Sequence, residues 1–186
     1  MQFYKFLQRE FYELGDYKII PLREEDIQLI RTWRNEQIDL LRQQKVLSEK
    51  DQIKYYNDII KKSFQEIQPE IILFSYLFNG TCIGYGGLTN VDWIKKNAEI
   101  SFLVDTKRTK NSDNYSKDFD VFLKIIIDLS FKELKFIRLF TETYDIRPTH
   151  IHVLEKIGFK LEKRLKQHIF INGSFVDSLI HGITKE

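Results

Sequence analysis

Apolar residues along the chain follow two periods, one typical of strands and one typical of helices. The run DYKIIPL predicts a short strand that stops at Pro21, because proline has no backbone N–H to donate to a sheet. In the next segment Ile27, Ile30 and Trp33 recur at helical spacing, so a first helix is expected with these side chains on its buried face. The first unit is therefore a strand followed by a helix.

A second helix is predicted for residues 47–64. Ser48 can cap its start, and Asp51, three residues on, can reach back to the Ser48 backbone as in a capping box. Pro69 lies beyond the end of this segment, where a helix cannot continue. The side chains expected on its buried face are Ile53, Tyr56, Ile60 and Phe64.

Two turn signals predict hairpins, because Asn79-Gly80 and Asn172-Gly173 each divide a pair of strand-like runs. Between them NAEISFLV and FIRLFTETY are typical of strands, and a helix is expected from about Asp118. A shorter helix follows, with Pro148 suited to its first turn and Gly158 to its end.

The order of these elements is strand, helix, helix, three strands, helix, strand, helix and two strands. It predicts an α/β (α+β) fold with a mixed central sheet, helices on both faces and a C-terminal β-hairpin. A length of 186 residues and a hydrophobic content of 42% suit one folded domain. We take this domain as residues 1–186, with residues 1–16 as an N-terminal extension.

Charge and cysteine content narrow the classes of function. The 29 basic and 27 acidic residues are interspersed, so a basic surface for nucleic acid is not expected. The single cysteine, Cys82, excludes an internal disulfide and favours a buried, inert thiol over a nucleophile. With four histidines and no paired carboxylate spacing, no metal site is expected. Neither a signal peptide nor a run of ~20 apolar residues is present, which predicts a cytoplasmic protein without a membrane partner.

Three segments, NAEISFLV, FKELKFIRLFTETY and LEKIGFKLEKRLKQHIFINGSFVDSLIHGI, resemble in this order the GNAT superfamily of acetyl-CoA-dependent N-acetyltransferases. With the Asn79-Gly80 hairpin and IGYGGL, the resemblance covers about residues 17–184. It is to the branch that contains the ribosomal-protein N-terminal acetyltransferases and several amino-sugar acetyltransferases. The resemblance implies an acyltransferase that uses acetyl-CoA as co-substrate and no metal, and in which a primary amine attacks the thioester directly.

The resemblance implies two catalytic residues. Glu99, in the strand expected beside the acetyl group, would accept the amine proton; the alternative is an ordinary strand carboxylate that faces solvent or a lysine. Family members often carry a tyrosine four residues before the glycine of the GF pair, and this position holds Leu154. Tyr144 is therefore the expected proton donor to the CoA thiolate. His150 and His152 are further options, although each is otherwise expected on the surface.

The expected acetyl-CoA site has two parts. Backbone N–H groups in Ser101 to Val104 would polarise the thioester, which makes Phe102, Leu103 and Val104 cofactor contacts. The stretch VDTKRTKNSDNYSKDF has no glycine, whereas most relatives surround the CoA pyrophosphate with a glycine-rich turn. Asp118 and Asp120, expected in the first helical turn, would repel a pyrophosphate. Either side chains hold the phosphates or the loop is a solvated connection. The residues expected in the first case are Lys107, Arg108, Lys110 and Asn111, with Arg147 as a further ligand.

The tripeptide Trp33-Arg34-Asn35 resembles one found in amino-sugar nucleotide acetyltransferases. Arg34 and Arg42 would bind the diphosphate of a nucleotide sugar, and Asn35 and Tyr85 complete the expected substrate contacts; the alternative is a solvated helix face. The first expected acceptor is therefore an amino-sugar nucleotide and the second a protein N-terminus. The competing class is a non-catalytic domain of the same fold that binds a ligand or partner. The oligomeric state is left as monomer or homodimer.

Overall fold

The computed structural model describes residues 3–185, and these residues build one mixed sheet of eight strands. The strands are β1 (Tyr12–Leu14), β2 (Tyr17–Pro21), β3 (Ile72–Phe78), β4 (Thr81–Asp92), β5 (Asn97–Val104), β6 (Arg138–Tyr144), β7 (Lys160–Ile171) and β8 (Ser174–Thr184). The helices are α1 (Ile27–Glu36), α2 (Glu49–Tyr55), α3 (Lys61–Ser63), α4 (Thr106–Thr109), α5 (Ser112–Asp128) and α6 (Pro148–Ile157). The strand order is β1-β2-β3-β4-β5-β6-β8-β7, and among these strands only β5 and β6 pair in parallel.

This architecture confirms the predicted fold class. β3 is buried at nearly every position, so both faces of the central sheet are covered. α1 packs beside α2, and α5 packs beside α6. Asn79-Gly80 links β3 to β4, and Asn172-Gly173 links β7 to β8. All four of these turn residues have positive φ, as a tight hairpin with a type I′ turn requires.

The second predicted helix is present but is not regular along its length. The capping box forms at its start as predicted. After α2, the segment Tyr56–Ile60 is π-helical, so its hydrogen bonds span five residues instead of the four of an α-helix. The buried face therefore shifts, so that Gln52 is buried and Ile53 is exposed, and the expectation for Ile53 was wrong. The remaining residues expected on this face are buried, namely Tyr56, Ile60 and Phe64.

Part of the predicted N-terminal extension packs on the sheet. The Tyr4 side chain is buried, and its hydroxyl donates to the Leu73 carbonyl at 3.0 Å. β1 pairs with β2 in antiparallel fashion and becomes the outermost strand on that side. These contacts join residues 4–14 to the same hydrophobic core as the rest of the fold.

The charged stretch between β5 and α5 is more helical than expected. It contains α4, and α5 begins at Ser112 rather than near Asp118. Asp105 caps α4 and Asn111 caps α5, each through a side-chain oxygen that accepts backbone N–H groups of the helix it precedes. Asp118 and Asp120 therefore lie beyond the first turn of α5, and the predicted helix start was wrong.

Candidate active site

A cleft opens in the sheet where β5 and β6 diverge. The two strands pair only from Asn97 opposite Arg138 to Glu99 opposite Phe140. β5 continues to Val104 with β4 as a partner on its other edge. The edge of β5 that faces β6 therefore has no strand partner beyond Glu99, and a cavity of about 80 Å³ lies there.

The residues expected to contact the thioester lie in this unpaired part of β5. Phe102, Leu103 and Val104 are buried, and the ring of Phe102 stacks on Phe119 of α5 with a centroid distance of 4.6 Å. The Val104 carbonyl accepts a hydrogen bond of 2.8 Å from the Gln37 side chain. This part of β5 therefore has no strand partner on the edge that faces β6.

Glu99 lies in the cleft and not on the solvent face. It is 3% exposed, and its Oε2 accepts a hydrogen bond of 2.6 Å from Asn90 Nδ2. Its Oε1 accepts from the Arg42 guanidinium, which also lies 3.5 Å from Glu142 Oε2. The alternative of a strand carboxylate facing solvent or a lysine is therefore wrong. Arg42, expected to bind a diphosphate, is instead bound to a carboxylate on each side of the cleft.

Tyr144 lines the same cavity from the end of β6 and is 6% exposed. Within residues 3–185 its hydroxyl has no hydrogen-bond partner. Burial, together with the negative charge of Glu142, raises the pKa of Tyr144, while Arg42 acts in the opposite direction. The hydroxyl is therefore protonated at neutral pH and can donate a proton into the cleft.

His150 is buried, at 4% exposure, whereas His152 is exposed. The expectation of a surface histidine was wrong for His150 because it precedes the buried Leu154 by four residues, one helical turn, and shares its face. Its ring stacks on Phe119 with a centroid distance of 4.0 Å. Burial is the main cause that holds the pKa of His150 well below its usual value, and Arg147 and His181 act in the same direction. The ring is therefore neutral.

A hydrogen-bond chain ties His150 to Arg147. The Arg147 guanidinium donates to the Tyr115 hydroxyl at 2.8 Å, and this hydroxyl lies 2.7 Å from His150 Nδ1. The Tyr115 hydroxyl thus engages Nδ1 of the imidazole, so Nε2 is the ring nitrogen left for another partner. His150 and Arg147 both line the cleft, so both stay within reach of a bound co-substrate.

The predicted phosphate ligands do not form one group. The guanidinium of Arg108 makes two hydrogen bonds of 2.5 and 2.7 Å to the buried carboxylate of Asp118. The side-chain oxygen of Asn111 is occupied as the cap of α5. These contacts argue against the phosphate roles expected for Arg108 and Asn111. Lys107 and Lys110 are exposed and have no ion-pair partner within residues 3–185.

The residues expected to bind the substrate are held by neighbours. Arg34 donates to Gln43 Oε1 at 2.9 Å and to the hydroxyl of the buried Tyr85. Asn35 makes three hydrogen bonds of 2.9 Å, two with the Leu47 backbone and one with the Gln43 side chain. Asn35 is thus a structural clamp for the loop after α1. The arginines expected to share a diphosphate are separately engaged.

Two wider cavities border the cleft. One of about 700 Å³ is lined by Arg34, Tyr55 and Glu70 among others, and one of about 590 Å³ by residues of β7 that include His168. Arg42 lines all three spaces. The cleft is therefore open to a molecule from either side of Arg42.

Two residues of the cleft, Glu142 and Asn90, were not predicted from the sequence. Glu142 precedes Tyr144 by two residues in β6, and alternate residues of a strand share a face. The prediction that Tyr144 points toward the cleft therefore already placed Glu142 there. No comparable signal exists for Asn90, because it reaches Glu99 from β4 after a backbone irregularity with positive φ.

The remaining predictions concern the cysteine, a metal site and a membrane span. Cys82 is half-buried rather than fully buried as expected, and burial raises the pKa of its thiol to about 12. Across residues 3–185 we find no three or more His, Cys, Asp or Glu side chains grouped to hold a metal ion. In the same part of the chain, none of the helices has the length and apolar character needed to cross a membrane.

Structural comparison finds the same fold in acetyltransferases. Spermidine N-acetyltransferase from Vibrio cholerae, in complex with CoA and spermine, has a TM-score of 0.80 at 18% identity, over 92% of this chain and 96% of that one. RimJ from Mycobacterium smegmatis, in complex with CoA-disulfide, has a TM-score of 0.74 at 17% identity, over 90% and 81% of the respective chains.

Sequence comparison leads to the same family. The SPbeta prophage-derived uncharacterized N-acetyltransferase YokL of Bacillus subtilis (strain 168) is 24% identical over 101 residues, which are 54% of this chain. The match spans about half of that relative, at 55% of its length. A model of the acetyltransferase (GNAT) domain matches residues 19–180. The chain therefore belongs to the GNAT acetyltransferase family, the family that the sequence resemblance implied.

Proposed function

We propose that the protein transfers the acetyl group of acetyl-CoA to a primary amine in the cleft between β5 and β6. The amine nitrogen attacks the thioester carbonyl, a C–N bond forms and the C–S bond breaks. Glu99, directly or through water, accepts the amine proton, and Tyr144 donates a proton to the departing thiolate. The observation that carries the proposal is the meeting, in one cleft, of a buried carboxylate and a protonated, unpartnered phenol.

The acceptor that best fits the cleft is a small aliphatic amine that arrives as a cation. Glu99 and Glu142 both face the cleft, and Glu70 lines the cavity beside it. An amino-sugar nucleotide, the first choice from sequence, would bring its negatively charged diphosphate beside these carboxylates, and Arg34 is already engaged with Gln43 and Tyr85. A polyamine-like acceptor agrees with the likeness in fold to the Vibrio cholerae spermidine N-acetyltransferase, which was crystallised with CoA and spermine.

An acetyl-transfer assay across a panel of amines tests this choice. The panel contains spermidine, a simple diamine, a nucleotide-linked amino sugar and a peptide with a free N-terminus. We expect the highest kcat/KM for spermidine or the diamine. A preference for the nucleotide sugar would mean that Arg34 and Arg42 leave their partners on binding. If no amine is acetylated and acetyl-CoA does not bind, the domain is non-catalytic.

Replacing Tyr144 by phenylalanine should lower kcat on the order of 10²-fold, the scale of general acid catalysis. The change removes only the hydroxyl, which has no structural partner in residues 3–185, so stability and acetyl-CoA affinity should stay the same. Steady-state kinetics with calorimetric binding of acetyl-CoA measures both effects. Full activity would assign the proton to water or to His150 Nε2, and His150→Phe would then be the next variant.

The CoA phosphates are proposed to contact Lys107, Lys110 and Arg147, because the amides at the starts of α4 and α5 are capped by the protein's own side chains. Changing both lysines to glutamine should weaken acetyl-CoA binding by about 1–2 kcal/mol. The loss should shrink at high salt, since exposed charges are screened over ~10 Å at 0.1 M ionic strength.

Calorimetric titration at low and high salt measures this effect. The matched control is Lys62→Gln with Lys166→Gln, which removes the same charge from two exposed positions that line none of the three cavities. Equal affinities of wild type and loop variant at both salt concentrations would mean that this loop carries no phosphate.

Four finer assignments stay predictions from the sequence. They are the single domain over residues 1–186, the cytoplasmic location, the monomeric or homodimeric state and the ribosomal-protein N-terminal acetyltransferase branch. RimJ has the same fold, so a protein N-terminus stays in the panel as the second acceptor. Size-exclusion chromatography with light scattering would give the oligomeric state directly.

A further inference from the structure

We infer that Glu99 and Glu142 form a binding site for a substrate ammonium or guanidinium group, and that the Arg42 guanidinium occupies this site as an internal competitor. The inference deepens the proposed function, because the assignment of the acceptor as a cationic amine rests on it. The cation site itself can be tested without acetyl transfer.

The first argument is the position of Arg42. Its guanidinium bridges the two strands, with one nitrogen at Glu99 on β5 and another 3.5 Å from Glu142 on β6. These carboxylates flank the point where the strands separate, at the centre of the cleft. The Arg42 guanidinium therefore occupies the position that the reacting amine must take.

The second argument is an asymmetry of burial. The Arg42 side chain is 55% exposed, whereas those of Glu99 and Glu142 are 4% and 13% exposed. An exposed arginine can leave an ion pair at little cost, because solvent screens the pair and water takes up its donors. Buried carboxylates cannot be left without a partner so easily. The two glutamates therefore need a cation, but it need not be Arg42.

The third argument is unused hydrogen-bonding capacity. Glu142 Oε1 is buried and has no hydrogen-bond partner within residues 3–185. The nearby His168 Nδ1, at 3.3 Å, is already bonded to Ser178 Oγ at 2.8 Å. A buried carboxylate oxygen without a donor is costly, and an ammonium group, with three donors, could satisfy it where the distant Arg42 contact does not.

The fourth argument is space. Arg42 lines the small cleft and both wider cavities, so its departure would connect spaces of about 700 and 590 Å³ through the carboxylate pair. An extended aliphatic chain fits such a passage, with one amino group between Glu99 and Glu142. The ligand class is therefore an alkylammonium or alkylguanidinium compound without an anionic group near the cation.

The test is calorimetric titration of methylguanidinium chloride into Arg42→Ala, without acetyl-CoA. If Arg42 fills the site about nine-tenths of the time, its removal should tighten methylguanidinium binding on the order of 10-fold. Lys45→Ala, which removes one exposed cation from the same loop, should bind like the wild type. The double variant Arg42→Ala with Glu142→Gln should lose the gain.

The outcomes separate the two proposals. Thermal unfolding first shows whether Arg42→Ala is folded. If the folded variant binds methylguanidinium no better than the wild type does, Arg42 is not a competitor. A gain that persists in the double variant would overturn the carboxylate site. If the gain appears but no amine is acetylated by the wild type, the cation site stands and the proposed acetyl transfer fails.

Discussion

Replacing Glu99 by glutamine is expected to lower kcat/KM on the order of 10²- to 10⁴-fold, the range for loss of a positioned general base. Glutamine has nearly the same shape and can still accept a hydrogen bond from Asn90, but it cannot take the amine proton. Acetyl-CoA affinity should change little, because the carboxylate acts on the amine and not on the thioester. The rate of the wild type and the variant should be measured from acidic to alkaline pH.

The dependence of kcat/KM on pH shows whether Glu99 acts as the general base. If Glu99 is the base, the dependence of kcat/KM on pH should differ between the wild type and the variant. Glu142→Gln is the matched control, since it removes an equivalent charge from the other side of the cleft. We expect it to raise KM for the amine more than it lowers kcat. A Glu99→Gln enzyme with unchanged kcat/KM at every pH would remove Glu99 from the mechanism.

Replacing Asp118 by alanine is expected to lower the free energy of unfolding by about 3–5 kcal/mol, the cost of leaving a buried charge without its partner. Asp118 is inaccessible to solvent and accepts hydrogen bonds from the Arg108 guanidinium and the Tyr17 hydroxyl. These contacts tie α5 to α4 and β2. The alanine variant would leave the partly buried Arg108 guanidinium and the buried Tyr17 hydroxyl without this acceptor.

Urea unfolding of Asp118→Ala and Asp120→Ala measures the difference. Asp120 is on the same helix but partly exposed, and it pairs with Lys124 at 2.5 Å. Its loss should cost at most about 1 kcal/mol, as for other surface ion pairs. Equal losses from both variants would show that burial does not set the strength of the Arg108–Asp118 pair.

The parts of the fold that follow from local rules were predictable. Asn-Gly turns set both hairpins, and the apolar run NAEISFLV coincides with β5. The choice of Glu99 and Tyr144 came from the family resemblance, since neither residue has a distinctive local motif. The two residues reach one cleft because β5 and β6 are neighbours.

The wrong predictions have physical causes that a local sequence pattern does not show. The start of α5 was placed too late because residues 105–117 carry charges without apolar periodicity, although Asn111 is a good N-cap residue. Ile53 was misplaced because a π-helical turn changes the period. Arg42 and Glu99 are far apart in sequence, and no local rule selects one arginine for one buried carboxylate.

The clamp formed by Asn35 has a consequence for the speed of catalysis. Asn35 fixes Gln43 and Leu47 to the end of α1, so the backbone on the C-terminal side of Arg42 is held in place. Arg42 would then leave the carboxylates by side-chain rotation, which takes picoseconds to nanoseconds at exposed positions. A typical enzyme turns over ~1–10³ times per second, so this step is far too fast to limit turnover. Entry of the amine should therefore depend on how often the site is vacant, with no slow opening phase in stopped-flow binding.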